Sequence, residues 1–161
     1  MFQIGDKVVY PVHGAGIIEA IETKEVLGEE HRYYVMFIPS SSMRVMIPCD
    51  SSTNNNIRSI VSEKVAEQVM EILHGQESQM SDKWSHRYRL NMDKIKSGDI
   101  LELAEVVRNL SLRDVGKGLS SGEKRLLDQA KEILVSELAL VRDAATAEVD
   151  TMLENIFQPS D

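Results

Sequence analysis

The run Ser51-Ser52-Thr53-Asn54-Asn55-Asn56 divides the sequence into two parts with different hydrophobic periods. Six consecutive small polar residues have little apolar surface to bury, so the run predicts a linker. Before it, short β-branched and aromatic segments alternate with glycine and proline. After it, apolar residues recur at the spacing of an amphipathic helix. The chain of 161 residues is therefore predicted to hold two domains, residues 1–53 and 61–161, joined by a linker at residues 54–60.

The first part has the pattern of a small antiparallel sheet. Its segments rich in Val, Ile, Tyr and Phe are 7–10, 17–23, 32–38 and 43–47. Glycine-containing segments or prolines separate them, and the segment 27–30 fits a hairpin connection. Short strands at this spacing predict a small antiparallel β-barrel. Because a domain of about 50 residues has a marginal core, we expect it to rest on the second part.

The second part predicts a domain made only of helices. Ser62, Ser81 and Asp99 are placed to cap helices, and Ser120 with Glu123 three residues later matches a capping box. Apolar residues between these caps recur every three or four positions, as on one face of a helix. The predicted fold class is therefore α+β and multidomain, with an N-terminal β-barrel followed by a C-terminal all-α domain.

The net charge of −8 argues against a nucleic-acid-binding protein, but the charge is unevenly distributed. Residues 81–125 hold 10 basic and 7 acidic side chains, whereas residues 126–161 hold 2 basic and 8 acidic ones. The densest basic segment, residues 83–89, combines three permanent cations, one histidine and two aromatic rings. A phosphate feels the charges within a Debye length of about 8 Å, so this segment remains a candidate DNA contact.

Trp84, the single tryptophan, supports two interpretations. In the first it anchors the core of the helical domain. In the second it is an exposed wedge, because it lies in the first turn of a helix between Lys83 and Arg87. An apolar ring framed by cations can enter a base step in the minor groove while the cations hold the flanking phosphates. Lys124 and Arg125 form a second basic pair, which either approaches the same backbone or is simply solvated.

No arrangement in the sequence predicts catalysis. The histidines at 13, 31, 74 and 86 and the single cysteine, Cys49, are not spaced as metal ligands. There is no nucleophile elbow and no phosphate-binding loop. We therefore expect a protein that is not an enzyme and needs no cofactor. A single cysteine cannot form an intramolecular disulfide, and no apolar run approaches the ~20 residues that span a bilayer, so we expect a cytoplasmic protein without a membrane partner.

Five segments resemble the bacterial CarD/CdnL family of transcription regulators, and they occur in the family's order along nearly the whole chain. They are GDKVVYPVHGAG (5–16), WSHRYR (84–89), KSGD (96–99), AEVVRNL (104–110) and LSSGEKR (119–125). The first part also resembles the polymerase-interacting domain of transcription–repair coupling factors. The resemblance implies a Tudor-like N-terminal domain that binds the RNA polymerase β subunit, and a helical domain that touches promoter DNA at the upstream edge of the melted bubble.

The resemblance also implies roles for individual residues. Trp84 matches the tryptophan that enters the minor groove and stabilises the open complex in the family. Arg87, Arg89, Lys124 and Arg125 match positions that contact the DNA backbone. The basic segment itself adds Lys83 and His86 to the predicted DNA-binding set.

On the polymerase side, Lys24 matches a position that is often basic in the family. Met46 stands where some members carry arginine, and Arg44, two residues earlier on the same strand face, is our candidate replacement. We expect a monomer that binds the β subunit and promoter DNA, with a slight sequence preference because phosphates and shape are read. The alternative function is an adaptor of RNA polymerase that makes no direct DNA contact.

Overall fold

The computed structural model describes residues 1–50 and 57–158, so the polar run at residues 51–56, which includes residues 54–56 of the predicted linker, lies outside the described residues. Within these ranges five strands precede five helices, which confirms an N-terminal β part followed by a helical part. The strands are β1 (Lys7–Tyr10), β2 (Gly14–Val26), β3 (Glu29–Ile38), β4 (Met43–Pro48) and β5 (Arg58–Ser59). The helices are α1 (Glu63–Leu73), α2 (Trp84–Lys96), α3 (Ile100–Gly116), α4 (Ser121–Arg142) and α5 (Thr146–Ile156).

The strands form one antiparallel sheet in the order β4-β3-β2-β1-β5. Strands β4 and β5 are its two edges, and they do not pair with each other in the described part of the chain. The sheet is therefore open, and the predicted closure into a barrel is not seen. Strand β5 pairs with β1 and brings two residues of the segment predicted as linker into the sheet. The domain boundaries themselves stay a prediction.

One side of the sheet carries its own small core, formed by Val8, Ile18, Met36, Ile38 and Ile47. Except at Val8, whose neighbour Val9 is also buried, these side chains alternate with exposed or half-buried ones, as the pleat requires. Close packing of β2 on β3 explains Gly16: a Cβ atom there would collide with the backbone carbonyl of Phe37.

The helices surround a second and larger core, and three of their predicted caps are confirmed. The side chains of Ser62, Asp99 and Ser120 accept hydrogen bonds from the first turns of α1, α3 and α4. The prediction that Ser81 caps α2 is wrong. This helix begins at Trp84, its N-cap is Lys83, and the Ser81 hydroxyl instead accepts a hydrogen bond from the Lys83 N–H at 3.3 Å.

The sheet rests on α4 through buried polar contacts, as expected for a β domain of this size. The Ala15 N–H donates to the Ser136 hydroxyl at 2.9 Å, and that hydroxyl donates to the Ile133 carbonyl. The Arg58 guanidinium binds both carboxylate oxygens of buried Glu137 at 2.7 Å. We call these contacts the sheet–helix interface. They fix the start of β2 and the whole of β5 against one helix.

None of the helices in the described part of the chain combines the length and apolar character that a membrane span requires. The described residues also contain no group of three or more His, Cys, Asp or Glu side chains placed to hold a metal ion.

Candidate nucleic-acid and protein interfaces

The first turns of α2 and α4 lie side by side. Gly122 of α4 faces the Tyr88 ring of α2. The two are so close that a Cβ atom added to Gly122 would lie 4.0 Å from the ring, in van der Waals contact with it. We call the surface formed by these two turns the basic end and define it by Lys83, Trp84, Lys124 and Arg125. All four side chains are exposed.

Trp84 is 59% exposed as the first residue of α2. The interpretation of Trp84 as a core anchor is therefore wrong. Tyr88 and Met92, which follow at helical spacing, are half-buried against the helical core, and Ile95 is buried in it. Trp84 continues this stripe, but the first turn of α2 extends past the core and leaves the indole in solvent.

The N-terminus of α2 has an unusual electrostatic environment. Its N-cap, Lys83, makes no side-chain capping bond, and the first turn holds no acidic residue. The free N–H groups and the positive end of the helix dipole therefore lie beside a lysine cation. Such an arrangement favours the approach of an anion.

Arg87 lies inside the molecule, with 4% of its surface exposed. Its Nε and Nη2 donate to the two carboxylate oxygens of Glu123 at 2.6 and 2.8 Å. Its Nη1 donates to the Ser81 carbonyl at 2.8 Å. The structure therefore does not place Arg87 with the exposed cations of the predicted DNA-binding set. It joins α2 to α4 instead.

The Arg87–Glu123 pair is ionised on both sides. The hydrogen bond to Glu123 raises the pKa of Arg87 above its usual value, although burial opposes this. Burial raises the pKa of Glu123, but the hydrogen bonds from Arg87 and Ser120 outweigh it and leave that pKa below its usual value. The pair therefore stays charged at neutral pH, and each charge neutralises the other inside the protein.

The other predicted DNA-binding residues are exposed but do not all share one surface. His86 and Arg89 lie on the opposite side of α2 from the buried Asn91 and Ile95. Across the described residues, the cations of Arg89, Lys124 and Arg125 form no salt bridge. His86 and Arg89 therefore lie around α2 from Trp84, which adjoins Lys83, whereas Lys124 and Arg125 follow Glu123 in the first turn of α4, the turn that Arg87 joins to α2.

The three predicted polymerase-binding residues lie on one face of the sheet. The register pairs them with alternating positions of β3: Lys24 with His31, Met46 with Val35, and Arg44 with Phe37. Paired residues share a face, and alternate residues of one strand share a face. We call this side of β2, β3 and β4 the outer face. It is the side opposite the buried Tyr34, Met36 and Ile38.

The outer face mixes apolar and cationic groups. Met46 is exposed, and Val35 and Phe37 are half-buried. The Arg44 guanidinium lies 4.8 Å from the centre of the Phe37 ring and donates from Nε to Glu19 at 2.9 Å. Part of the Arg44 charge is therefore used within the molecule.

Sequence reasoning did not find the Arg87–Glu123 or Arg58–Glu137 pairs. The partners are 36 and 79 residues apart, and only the fold brings them together. The sequence carries a signal for one of them, because the capping box predicted at Ser120 and Glu123 places the Glu123 carboxylate at the start of a helix.

The chain matches two family models, and one relative agrees with them. The model of the CarD-like/TRCF RID domain matches residues 2–61, and the model of the CarD C-terminal domain matches residues 68–154. The chain is 48% identical over 142 residues to the "Putative transcription factor YdeB" of Bacillus subtilis (strain 168), and the match covers 88% of this chain and 93% of that protein. The first model spans all five strands, and the second begins inside α1 and ends inside α5.

Proposed function

Because the chain belongs to the CarD family of transcription factors and carries an RNA polymerase-interacting domain, we propose that it stabilises the promoter open complex while bound to the polymerase β subunit. In this proposal the basic end contacts DNA and the outer face contacts polymerase. The observation that carries it is Trp84, an exposed indole at the first residue of α2 beside Lys83, a cation that forms no salt bridge with another described residue.

Binding to polymerase is supported by the shape of the sheet. Along residues 43–47, β4 pairs with β3 on one side, and no described strand pairs with its other side. A free edge of this kind can accept a strand from a partner. The outer face includes this edge, so a polymerase strand added to β4 would lie next to Met46, while Lys24, two strands away on β2, would contact another part of polymerase. We propose a Tudor-like description for this domain on the resemblance alone.

Binding to DNA is supported by the basic end. The indole enters a base step from the minor groove, and Lys83, Lys124 and Arg125 hold the flanking phosphates. Unstacking a closed base step costs a few kcal/mol, whereas the step at a bubble edge is already open. The ring therefore binds the open complex better than the closed one, and this differential affinity shifts the equilibrium toward the open complex.

We propose that Arg87 acts as a positioning residue and does not touch DNA. Its ion pair with Glu123 holds the first turn of α2 against α4. This contact sets where Trp84 lies relative to Lys124 and Arg125. Arg89 and His86 reach phosphates only if the backbone curves around α2.

Because the rest of the chain is acidic, we propose that binding to polymerase is also what brings the basic end to DNA. A protein with a net charge of −8 binds free DNA weakly, because most of its surface repels phosphates. Tethering through polymerase raises the local concentration of the basic end to roughly millimolar. We propose that the protein acts in the cytoplasm as a monomer bound to polymerase.

The lifetime of open complexes tests this proposal. Polymerase is challenged with competitor on a weak promoter, with wild-type protein, Trp84→Ala or Val115→Ala. Val115 is an exposed apolar residue near the end of α3 and serves as the control. We expect Trp84→Ala to shorten the lifetime at least severalfold with unchanged polymerase affinity, and Val115→Ala to behave as wild type. An unchanged lifetime with Trp84→Ala would favour the adaptor that makes no DNA contact.

A further inference from the structure

The hairpin of β2 and β3 projects beyond the rest of the sheet. Strand β1 pairs with β2 only as far as Ile17, and β4 pairs with β3 only from Tyr33 onward. The Arg32 carbonyl still accepts a hydrogen bond from the Cys49 N–H at 2.9 Å, just after β4. Residues 24–31 therefore form a two-stranded ribbon, which has no neighbouring strand in the described part of the chain. Isolated two-stranded ribbons are only marginally stable in water, so the length of this one needs an explanation.

The turn at the end of the ribbon is strained. Val26 and Glu29 pair across a two-residue turn in which Leu27 has φ +53° and Gly28 has φ +79°. Two positive φ values define a type I′ turn, whose first central position favours Asn, Asp or Gly. A leucine in the left-handed region is unfavourable because its side chain crowds the backbone.

Two further features at the same end oppose stability. Leu27 is fully exposed and Val26 is 43% exposed, so two apolar side chains meet water at the tip. Glu25 lies directly opposite Glu30, and like charges in this position repel each other. A strained residue, exposed apolar side chains and a pair of like charges all oppose folding. Where such features cluster in one place, they mark a functional site.

The tip continues the outer face. Val26 lies two residues after Lys24 on β2 and therefore points to the same side. The flanking residues Glu25, Glu29 and Glu30 make the ribbon end acidic. A partner that covers the tip must accept apolar side chains and compensate carboxylates.

We propose that Val26 and Leu27 insert into an apolar pocket of RNA polymerase that is bordered by basic side chains. This proposal rests on the proposed function and extends the polymerase contact from the outer face to the ribbon tip. The strained turn holds Leu27 in the conformation that it keeps in the complex, so binding does not have to order it.

The variant Leu27→Asn separates a binding role from a structural one. Asn-Gly is the preferred type I′ turn, so this variant relieves strain and removes exposed apolar surface. We expect its melting temperature to equal or exceed that of the wild type, while its affinity for RNA polymerase falls roughly tenfold or more, as for the loss of a buried leucine. Val26→Thr keeps a β-branched side chain, and we expect a smaller loss of affinity. Val115→Gln, far from the tip in sequence and on α3, is the control and should bind normally.

Comparison with Met46→Glu on the outer face distinguishes the possible failures. Weaker binding by Met46→Glu with normal binding by Leu27→Asn overturns the ribbon-tip proposal and leaves the proposed function standing. Normal binding by both variants, or no binding by the wild type, overturns both. A lower melting temperature of Leu27→Asn alongside weaker binding shows that Leu27 supports the fold, and it also overturns the ribbon-tip proposal.

Discussion

The Glu123 carboxylate takes part both in a helix cap and in a buried ion pair. Its Oε1 accepts a hydrogen bond from the Ser120 hydroxyl at 3.0 Å, within the capping box of α4. The same carboxylate binds the Arg87 guanidinium through both oxygens. Removing its charge would leave a buried arginine without a counter-charge, and this is the costly way to break a buried ion pair.

We expect Glu123→Gln to lower the free energy of unfolding by on the order of 3 kcal/mol at neutral pH. The folded protein lowers the pKa of Glu123, so its stabilising effect is present above the usual glutamate pKa of about 4.5. This effect is lost as the pH falls through the lowered pKa. The difference between wild type and Glu123→Gln, measured by denaturant unfolding between pH 7 and pH 2, should therefore shrink only in the acidic part of the range.

The matched control is Glu105→Gln. Glu105 pairs with Lys94 at 3.1 Å, but both side chains are partly exposed to solvent. Such surface pairs contribute about 0–1 kcal/mol, so this variant should unfold nearly as the wild type does. A similar loss in both variants would contradict the role given to Glu123.

At the residue scale, the sequence identifies side-chain chemistry better than burial. Trp84 and Arg87 are one turn apart in the same basic segment, and the sequence predicted DNA contact for both. In the structure the indole is exposed and the guanidinium is buried. The guanidinium is buried with its counter-charge, Glu123, which is distant in the sequence and near Arg87 only in the fold. The DNA contacts themselves stay a prediction.

At the scale of the element, β4 carries two exposed methionines that point to opposite faces of the sheet. Met46 is paired with Val35 on the outer face, whereas Met43 is paired with buried Ile38 on the other face. Both residues are methionines of the same strand, and they differ in the face of the sheet to which the side chain points. They therefore form a matched pair for testing which face binds polymerase.

We expect Met46→Glu to weaken binding to polymerase roughly tenfold or more, because it places a charge within an apolar contact. Met43→Glu should bind nearly as the wild type does. Affinity for polymerase core enzyme, measured by titration with fluorescently labelled protein, compares them. Equal losses in the two variants would indicate that the edge of β4 binds without a preference for one face.

Strands and helices followed from the sequence where local chemistry specifies them. Glycines and prolines bounded the strands, and Ser62, Asp99 and Ser120 marked helix starts that the structure confirms. Strand β5 could not be predicted, because two residues are too few to show the alternation of apolar and polar side chains typical of a strand. This strand forms only because it pairs with β1. The expected barrel closure is not seen among the described residues, and local spacing cannot say whether the two edges of a sheet meet.

At the scale of the whole molecule, the sheet–helix interface connects the two proposed binding surfaces. Glu137 of α4 is buried and accepts hydrogen bonds from the Arg58 side chain of β5 and from the Val61 N–H at 2.9 Å. The Arg58 Nε also donates to the Gly98 carbonyl at 2.8 Å, in the turn between α2 and α3. One glutamate thus contributes to the placement of sheet, α2 and α4.

We expect Glu137→Gln to lower the free energy of unfolding by about 2 kcal/mol, less than Glu123→Gln because Arg58 is partly exposed. Binding to polymerase should be unchanged, since the outer face is intact. Open complexes should nonetheless dissociate faster, because the basic end is held less firmly relative to the sheet. Thermal unfolding and the competitor-challenge lifetime measure the two effects.

Glu132→Gln is the control, since Glu132 is exposed on the same helix. It should leave both stability and lifetime unchanged. A Glu137→Gln variant that unfolds more easily but keeps the full lifetime at a temperature where it is folded would show that the interface matters for stability alone.

Strand β5 has a geometric consequence for promoters. The chain passes from the sheet to the helices through a strand that is hydrogen-bonded to β1 on one side and clamped to α4 by its arginine. The separation between the outer face and the indole is therefore a fixed length, set by folded structure. If the proposed contacts are right, the protein fixes the distance between the polymerase surface and the point where the indole meets the duplex. We then expect it to stabilise only those promoters whose bubble has its upstream edge at that distance.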